Sequence, residues 1–144
     1  MPDRIPPIVN HWSHEVNPEN DVDWTLSPDP AKEQSLRHER NKMLKQDLLL
    51  GKPVMYRSSG WSLYPRVHPN DQCTYEPVTS ANEVNLQDIV FCEVQPGNRL
   101  FAHIVTKIEK KGDDLSFTIS NIKGRVNGWC RTGHIYGRLI NVAH

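Results

Sequence analysis

Two side chains in this sequence have the chemistry of a nucleophile and its base. Ser62 lies in a turn over residues 60–65 that begins with glycine and ends with proline, and His103 lies in a strand-like segment over residues 99–108. A serine hydroxyl is a weak nucleophile at neutral pH unless a neighbouring group takes its proton, and a neutral imidazole is well suited to do so. The pair therefore predicts a histidine-activated serine, provided that the fold brings the two residues together.

Both residues also have a simpler interpretation. A serine among loop residues is usually only that, and a histidine on a half-buried strand is more often structural. The turn is not an α/β-hydrolase nucleophile elbow, because it lacks the second glycine and the chain lacks βα alternation. Lys107 is an alternative base, but it lies about 13 Å along the strand from His103 at roughly 3.3 Å per residue. The two cannot serve the same serine.

Alternation along residues 99–108 predicts which face carries the base. His103 shares one face with Phe101, Val105 and Lys107, which suits a partly covered cleft. The opposite face is apolar apart from a threonine, as a core face should be; it carries Ala102, Ile104, Thr106 and Ile108.

The motifs around these residues resemble those of signal peptidase I and the LexA-like self-cleaving proteins. In that superfamily the serine lies in a Gly-x-Ser-Met-x-Pro turn, a Gly-Asp-(Ile/Val)-Val strand follows, and the base comes from a later strand. The corresponding segments here are Gly60-Trp61-Ser62-Leu63-Tyr64-Pro65, Gln87-Asp88-Ile89-Val90, Ala102-His103-Ile104-Val105 and the closing strand Ile135-Tyr136-Gly137-Arg138-Leu139. The base strand is similar to the histidine type, with Ile104 in place of arginine, and the resemblance covers about residues 48–142.

The resemblance implies roles for particular residues. Ser62 would attack and His103 would be the base, while Ser59, Gly60 and Leu63 would form the oxyanion site or the cleft. Where histidine-type relatives orient the base with a carboxylate, the matching positions hold the amides Asn121 and Asn127. An amide can fix the imidazole tautomer, as in Cys-His-Asn proteases, but it cannot stabilise the imidazolium as a charge would.

Two functions from different classes follow. The first is a serine endopeptidase-like protein with a Ser-His dyad, acting on a peptide or protein substrate. The second is a non-catalytic descendant of the fold that serves as a structural or assembly module, with its N-terminal arm contacting a protein partner; oligomers are compatible with this reading. The intact Ser62 and His103 favour the first function. The second is favoured by the absence of the carboxylates and by two departures from the family motifs, Leu63 in place of methionine and Ile104 in place of arginine.

Composition limits the remaining possibilities. The 144 residues match the length of one domain. Because 17 basic residues balance 17 acidic ones, general binding to nucleic acid is not indicated. No apolar run approaches the roughly 20 residues of a membrane span, and the N-terminus lacks a signal-peptide pattern. The three cysteines, Cys73, Cys92 and Cys130, include no C-x-x-C pair, so we expect reduced thiols in a soluble cytoplasmic protein.

Residues 1–29 are rich in Pro, Asn, Asp and Ser and predict an irregular arm, docked on its own domain or on a partner. Metal-binding residue types occur in this arm, but their spacing is unspecific and solvated polar residues explain them more simply; they are His11, His14, Asp21 and Asp23. We therefore expect neither a metal nor a cofactor.

Residues 30–51 predict one helix leading into the domain, with Asp29 or Ser27 as its cap, Pro30 in its first turn and Gly51 at its end. Its expected apolar stripe consists of Leu36, Met43, Leu44 and Leu48, and the charged residues between 37 and 45 are expected to face solvent. Short strands with turn signals follow over residues 54–56, 73–78, 89–94, 99–109, 115–119 and 135–142. The sequence thus predicts, over residues 52–144, a mainly β domain: a bent antiparallel sheet or partial barrel of the LexA and signal-peptidase kind.

Overall fold

The computed structural model describes residues 9–10, 30–80 and 83–144. One helix, α1, spans Pro30–Leu49. The strands are β1 (Val9–Asn10), β2 (Val54–Arg57), β3 (Gln72–Pro77), β4 (Ile89–Val94), β5 (Arg99–Lys111), β6 (Asp114–Ser120), β7 (Val126–Arg131) and β8 (Ile135–Ala143). The prediction of a mainly β fold with a minor α part is confirmed.

The strands form a single curled sheet with the order β1-β2-β3-β8-β4-β5-β6-β7. All neighbours are antiparallel except β1 and β2, which pair in parallel at residues 9–10. The rest of the predicted irregular arm, including the four candidate metal ligands, lies outside the described residues. The sheet curls into a half-barrel, in which the backbone of Trp129 in β7 meets Gln95 at the end of β4 through N–O distances of 2.8 and 3.0 Å.

Local sequence signals explain the helix end and the central hairpin. Gly51 has a φ of +81°, and the amide of Lys52 donates to the carbonyl of Asp47, so the chain leaves α1 where the glycine predicts it. Between β4 and β5, Gly97 and Asn98 both adopt positive φ, which few other residue types tolerate. The turn sets Val94 opposite Arg99 and thereby places Val90 opposite His103.

Both faces of the sheet are buried. One core cluster lies beneath α1 and includes Leu44, Leu48, Tyr75, Phe91 and Ile104. The other lies inside the curl of β4 to β7 and contains Val90, Cys92, Val94, Val105, Phe117, Ile119 and Cys130. The three cysteines are free and buried, and Cys92 packs with Val90 and Val94 as its strand position predicts.

The predicted packing of α1 is wrong in two places. Met43 is 45% exposed, whereas Arg40, one of the charged residues expected to face solvent, is buried together with its neighbour Asn41. Arg40 and Asn41 lie one turn before Leu44 and two turns before Leu48, so the buried stripe of the helix is partly polar.

Alternation along β5 holds only as far as Val105. A register shift between Val105 and Lys107 makes Thr106 an extra residue, and Ile108 therefore packs with the cluster that contains Val105 instead of the one that contains Ile104. The face assigned to Ile108 from strict alternation is wrong for this reason. The assignment of His103 is unaffected, because His103 precedes the bulge.

Candidate active site

Ser62 and His103 lie within hydrogen-bond distance of each other. Ser62 follows β2 in an exposed loop, and His103 lies in the middle of β5. The distance from Ser62 Oγ to His103 Nε2 is 2.9 Å, although the residues are 41 positions apart in the chain. The two residues singled out from the sequence are therefore in the geometry that a nucleophile and its base require.

The loop that carries Ser62 is fixed from two sides. Leu63 and Val67 are buried in the core cluster beneath α1, and the amide of Val67 donates to the carbonyl of Leu63 at 3.0 Å. On the opposite side, the carbonyl of Ser62 accepts a hydrogen bond from the amide of Ile122 at 3.0 Å. Leu63 thus anchors the turn by packing, and the hydroxyl of Ser62 is presented on a constrained backbone.

Asn127 completes the arrangement on the other side of the imidazole. Its Oδ1 lies 2.6 Å from His103 Nδ1. An amide oxygen only accepts hydrogen bonds, so this contact places the ring proton on Nδ1 and leaves the lone pair of Nε2 facing Ser62. This is the tautomer that a general base needs.

A β-bulge directs Asn127 toward His103. In the β6–β7 ladder, Ile119 pairs with Gly128 and Ser120 pairs with Val126, so Asn127 is the extra residue of β7. Bulges turn a side chain away from the regular ladder direction and are common beside active sites. The carbonyl of Asn127 is also held, because Arg99 Nη2 donates to it at 2.7 Å.

Asn121, the other candidate for orienting the base, has a different role. Its Oδ1 accepts hydrogen bonds from the amides of Lys123 and Arg125 at 3.0 and 2.9 Å. It therefore stabilises the turn between β6 and β7, and it makes no hydrogen bond to His103.

Burial lowers the pKa of His103 below its ordinary value of 6.5. The hydrogen bond that His103 Nδ1 donates to Asn127 Oδ1 raises this pKa, whereas the positive charge of Arg99 lowers it further. The imidazole is therefore neutral and ready to accept a proton at pH 7. Among the described side chains, no carboxylate pairs with His103, so an imidazolium formed during a reaction would lack a counter-charge from them.

Ser62 and His103 open onto a cleft of about 240 Å³. The loop contributes Ser59, Gly60 and Leu63 to its wall. The hydroxyl of Ser58 donates to the carbonyl of His68 at 2.6 Å, whereas Ser59 is exposed on the cleft wall. Among the hydroxyls before Ser62, that of Ser59 is therefore the better candidate for an oxyanion donor, beside the backbone amide of Ser62.

The opposite wall of the cleft belongs to α1 and was missed from the sequence. Arg37, Arg40 and Asn41 line it. Helical spacing indicates that Arg40 and Asn41 face the core, because positions 40 and 41 share a face with Leu44 and Leu48. The polarity of these two side chains instead favours exposure to solvent.

The described residues contain no cluster of His, Cys, Asp or Glu side chains that could hold a metal ion. In the same part of the chain, no helix has the length and hydropathy needed to cross a membrane. No family model, curated protein or solved structure matches the chain at a significant level.

Proposed function

We propose that this protein is a serine endopeptidase in which Ser62 is the nucleophile, His103 the general base and Asn127 the residue that orients the base. The observation that carries the proposal is the continuous chain of hydrogen bonds from Ser62 Oγ through both ring nitrogens of His103 to Asn127. The resemblance to histidine-type signal peptidases and LexA-like proteins supports the same roles.

The reaction follows from the positions of these groups. Ser62 Oγ attacks the carbonyl carbon of a peptide bond while His103 Nε2 takes the hydroxyl proton. The negative charge that develops on the carbonyl oxygen is stabilised by the Ser62 amide and by Ser59. The imidazolium gives its proton to the leaving amine as the C–N bond breaks, which leaves an acyl-enzyme. His103 Nε2 then takes a proton from a water molecule as the water oxygen attacks the ester carbon. The imidazolium returns this proton to Ser62 Oγ as the C–O bond breaks, which releases the acid and restores the serine.

One observation favours the second function, a non-catalytic interaction module. His103 is oriented by a neutral amide and has Arg99 nearby, so both its burial and its electrostatic surroundings oppose the imidazolium that acyl transfer requires. If the protein is an enzyme, these surroundings of His103 predict slow turnover. If it is a non-catalytic descendant, no turnover is expected.

A serine-reactive fluorophosphonate distinguishes the two functions, because it phosphonylates an activated serine without requiring knowledge of the substrate. We expect the purified full-length protein to gain one adduct, located by peptide mass spectrometry at Ser62. Ser62→Ala should gain none, and His103→Gln should gain the adduct much more slowly than the wild type. His68→Gln is the matched control, since His68 is exposed, close to the same loop, and makes no contact with Ser62 in the structure. A folded wild-type protein that stays unlabelled would support the interaction module instead.

A further inference from the structure

Arg40 is a buried cation on the wall of the catalytic cleft. It lies in the middle of α1, is only 9% exposed, and lines the same cleft as Ser62 and His103. Arginine is almost never buried this deeply unless its charge is paired.

The protein satisfies this guanidinium only in part. Nη2 of Arg40 donates to Asn41 Oδ1 at 3.2 Å, and Cζ lies 4.6 Å from the centre of the Tyr56 ring. Nε is fully buried and has no hydrogen-bond partner. Among the acidic side chains that the structure describes, which exclude Glu33, no Asp or Glu oxygen lies within 4.0 Å of a guanidinium nitrogen of Arg40, the limit for an ion pair.

A buried guanidinium of this kind destabilises the fold unless another group supplies the missing hydrogen bonds and counter-charge. A guanidinium remains charged in proteins, and a buried charge without a counter-ion is destabilising. Burial lowers the pKa of Arg40, mainly because the charged form loses its contact with water. Asn41 holds the guanidinium in place, because its own Nδ2 donates to the carbonyl of Leu100 at 3.0 Å. The result is a positioned donor group with unused hydrogen-bonding capacity.

The rest of the cleft has the matching electrostatic character. Arg37, one turn before Arg40 in α1, contributes a second positive charge to the lining. The described lining residues include no acidic side chain, although the chain as a whole has no net charge. A planar guanidinium forms especially strong hydrogen bonds with a carboxylate, because two parallel N–H groups of the guanidinium match the two carboxylate oxygens.

We propose that Arg40 is a specificity-determining residue that binds a carboxylate of the substrate in the cleft beside Ser62. The carboxylate is supplied either by an acidic side chain or by the free C-terminus of a peptide. The role in substrate choice rests on the proposed endopeptidase function, while the binding of a carboxylate does not. A peptide bearing this group provides the counter-charge that the described part of the chain lacks.

Three small compounds separate these sources by NMR titration of the full-length ¹⁵N-labelled protein. N-acetylglutamate α-amide carries only a side-chain carboxylate, N-acetylglutamine carries only an α-carboxylate, and N-acetylglutaminamide carries neither. We expect at least one acid to shift the Nε–H resonance of Arg40 and to bind about tenfold more tightly than the neutral compound. Whichever acid binds more tightly identifies the source. Equal binding of all three compounds, or no movement of the Arg40 resonance, would overturn the inference.

Variants test whether the preference belongs to Arg40. Arg40→Met keeps an unbranched side chain against Tyr56 and should abolish the preference for acids. Lys42→Met is the matched control, because it removes the same charge from the exposed side of the same helix and should leave the preference unchanged. An Arg40→Met protein that still prefers acids would contradict the assignment. The wild-type shift remains decisive even if Arg40→Met does not fold.

The outcomes also separate this inference from the proposed function. Carboxylate binding at Arg40 in a protein whose Ser62 is never labelled would contradict the peptidase proposal and support the carboxylate site. Labelling of Ser62 without any preference for carboxylates would retain the peptidase and remove Arg40 as a determinant of specificity.

Discussion

The imidazole of His103 donates from Nδ1 to Asn127 Oδ1 across 2.6 Å, and it does so because Asn127 is the bulged residue of β7. In a regular ladder without the bulge, the Asn127 side chain would follow the strict alternation of β7 between the two faces of the sheet. The contact fixes the tautomer that faces Ser62, but it brings no charge to the site. The following predictions depend on that combination of correct geometry and missing charge.

Exchanging the amide for a carboxylate should increase reactivity at one position only. Asn127→Asp places a negative charge beside His103 Nδ1, which stabilises the imidazolium and raises the His103 pKa. We expect the rate of Ser62 phosphonylation above this pKa to increase about tenfold or more. Asn121→Asp is the control, because its retained oxygen still accepts from Lys123 and Arg125 at a distance from His103. An equal effect of both substitutions would show that the position of the charge does not matter.

The pH dependence of labelling should report the His103 pKa. The rate should rise with pH as His103 loses its proton, with a midpoint below the ordinary value of 6.5, because burial and Arg99 both lower this pKa. Arg99→Gln removes one of these two causes and should shift the midpoint to higher pH. Arg99→Lys keeps the charge and should shift it less. A midpoint above 6.5 in the wild type would contradict the described environment of His103.

The strand that carries Asn127 should depend on Gly128. This residue has a φ of +155°, and a methyl group built on it would overlap the carbonyl oxygen of Gln95, where β7 meets the end of β4. We expect Gly128→Ala to lower the free energy of unfolding by about 3 kcal/mol, measured by urea denaturation. Gly133→Ala has open space around its Cβ and should change it by no more than about 0.5 kcal/mol. Similar stabilities for the two variants would argue against the close approach.

The fold was largely predictable because its signals are local. Alternating apolar residues and the turn at residues 95–98 gave the β4–β5 hairpin, and Pro30 and Gly51 bracketed α1. β7 was missed, since Asn127 and Gly128 form a dipeptide typical of turns. Its pairing depends on β6 and on the distant end of β4.

The site was predictable in its residue types but not in its assembly. The pairing of Ser62 with His103 depends on the sheet order, which brings together residues 41 positions apart. The choice between Asn121 and Asn127 depended on a bulge that leaves no clear mark in the sequence. The charge of Arg40 predicts exposure to solvent, and only the packing of α1 on the sheet overrides this signal.

The second-order rate constant for phosphonylation of Ser62, compared between the wild type and His103→Gln at pH 7.5, tests the central claim most directly. If His103 Nε2 takes the proton of Ser62, its removal should reduce this rate constant by about 100-fold or more, because a positioned general base contributes roughly that much. Circular dichroism would verify that the variant is folded. Equal rate constants in the two folded proteins would contradict the account, since the 2.9 Å contact between Ser62 and His103 would then have no part in activating the serine.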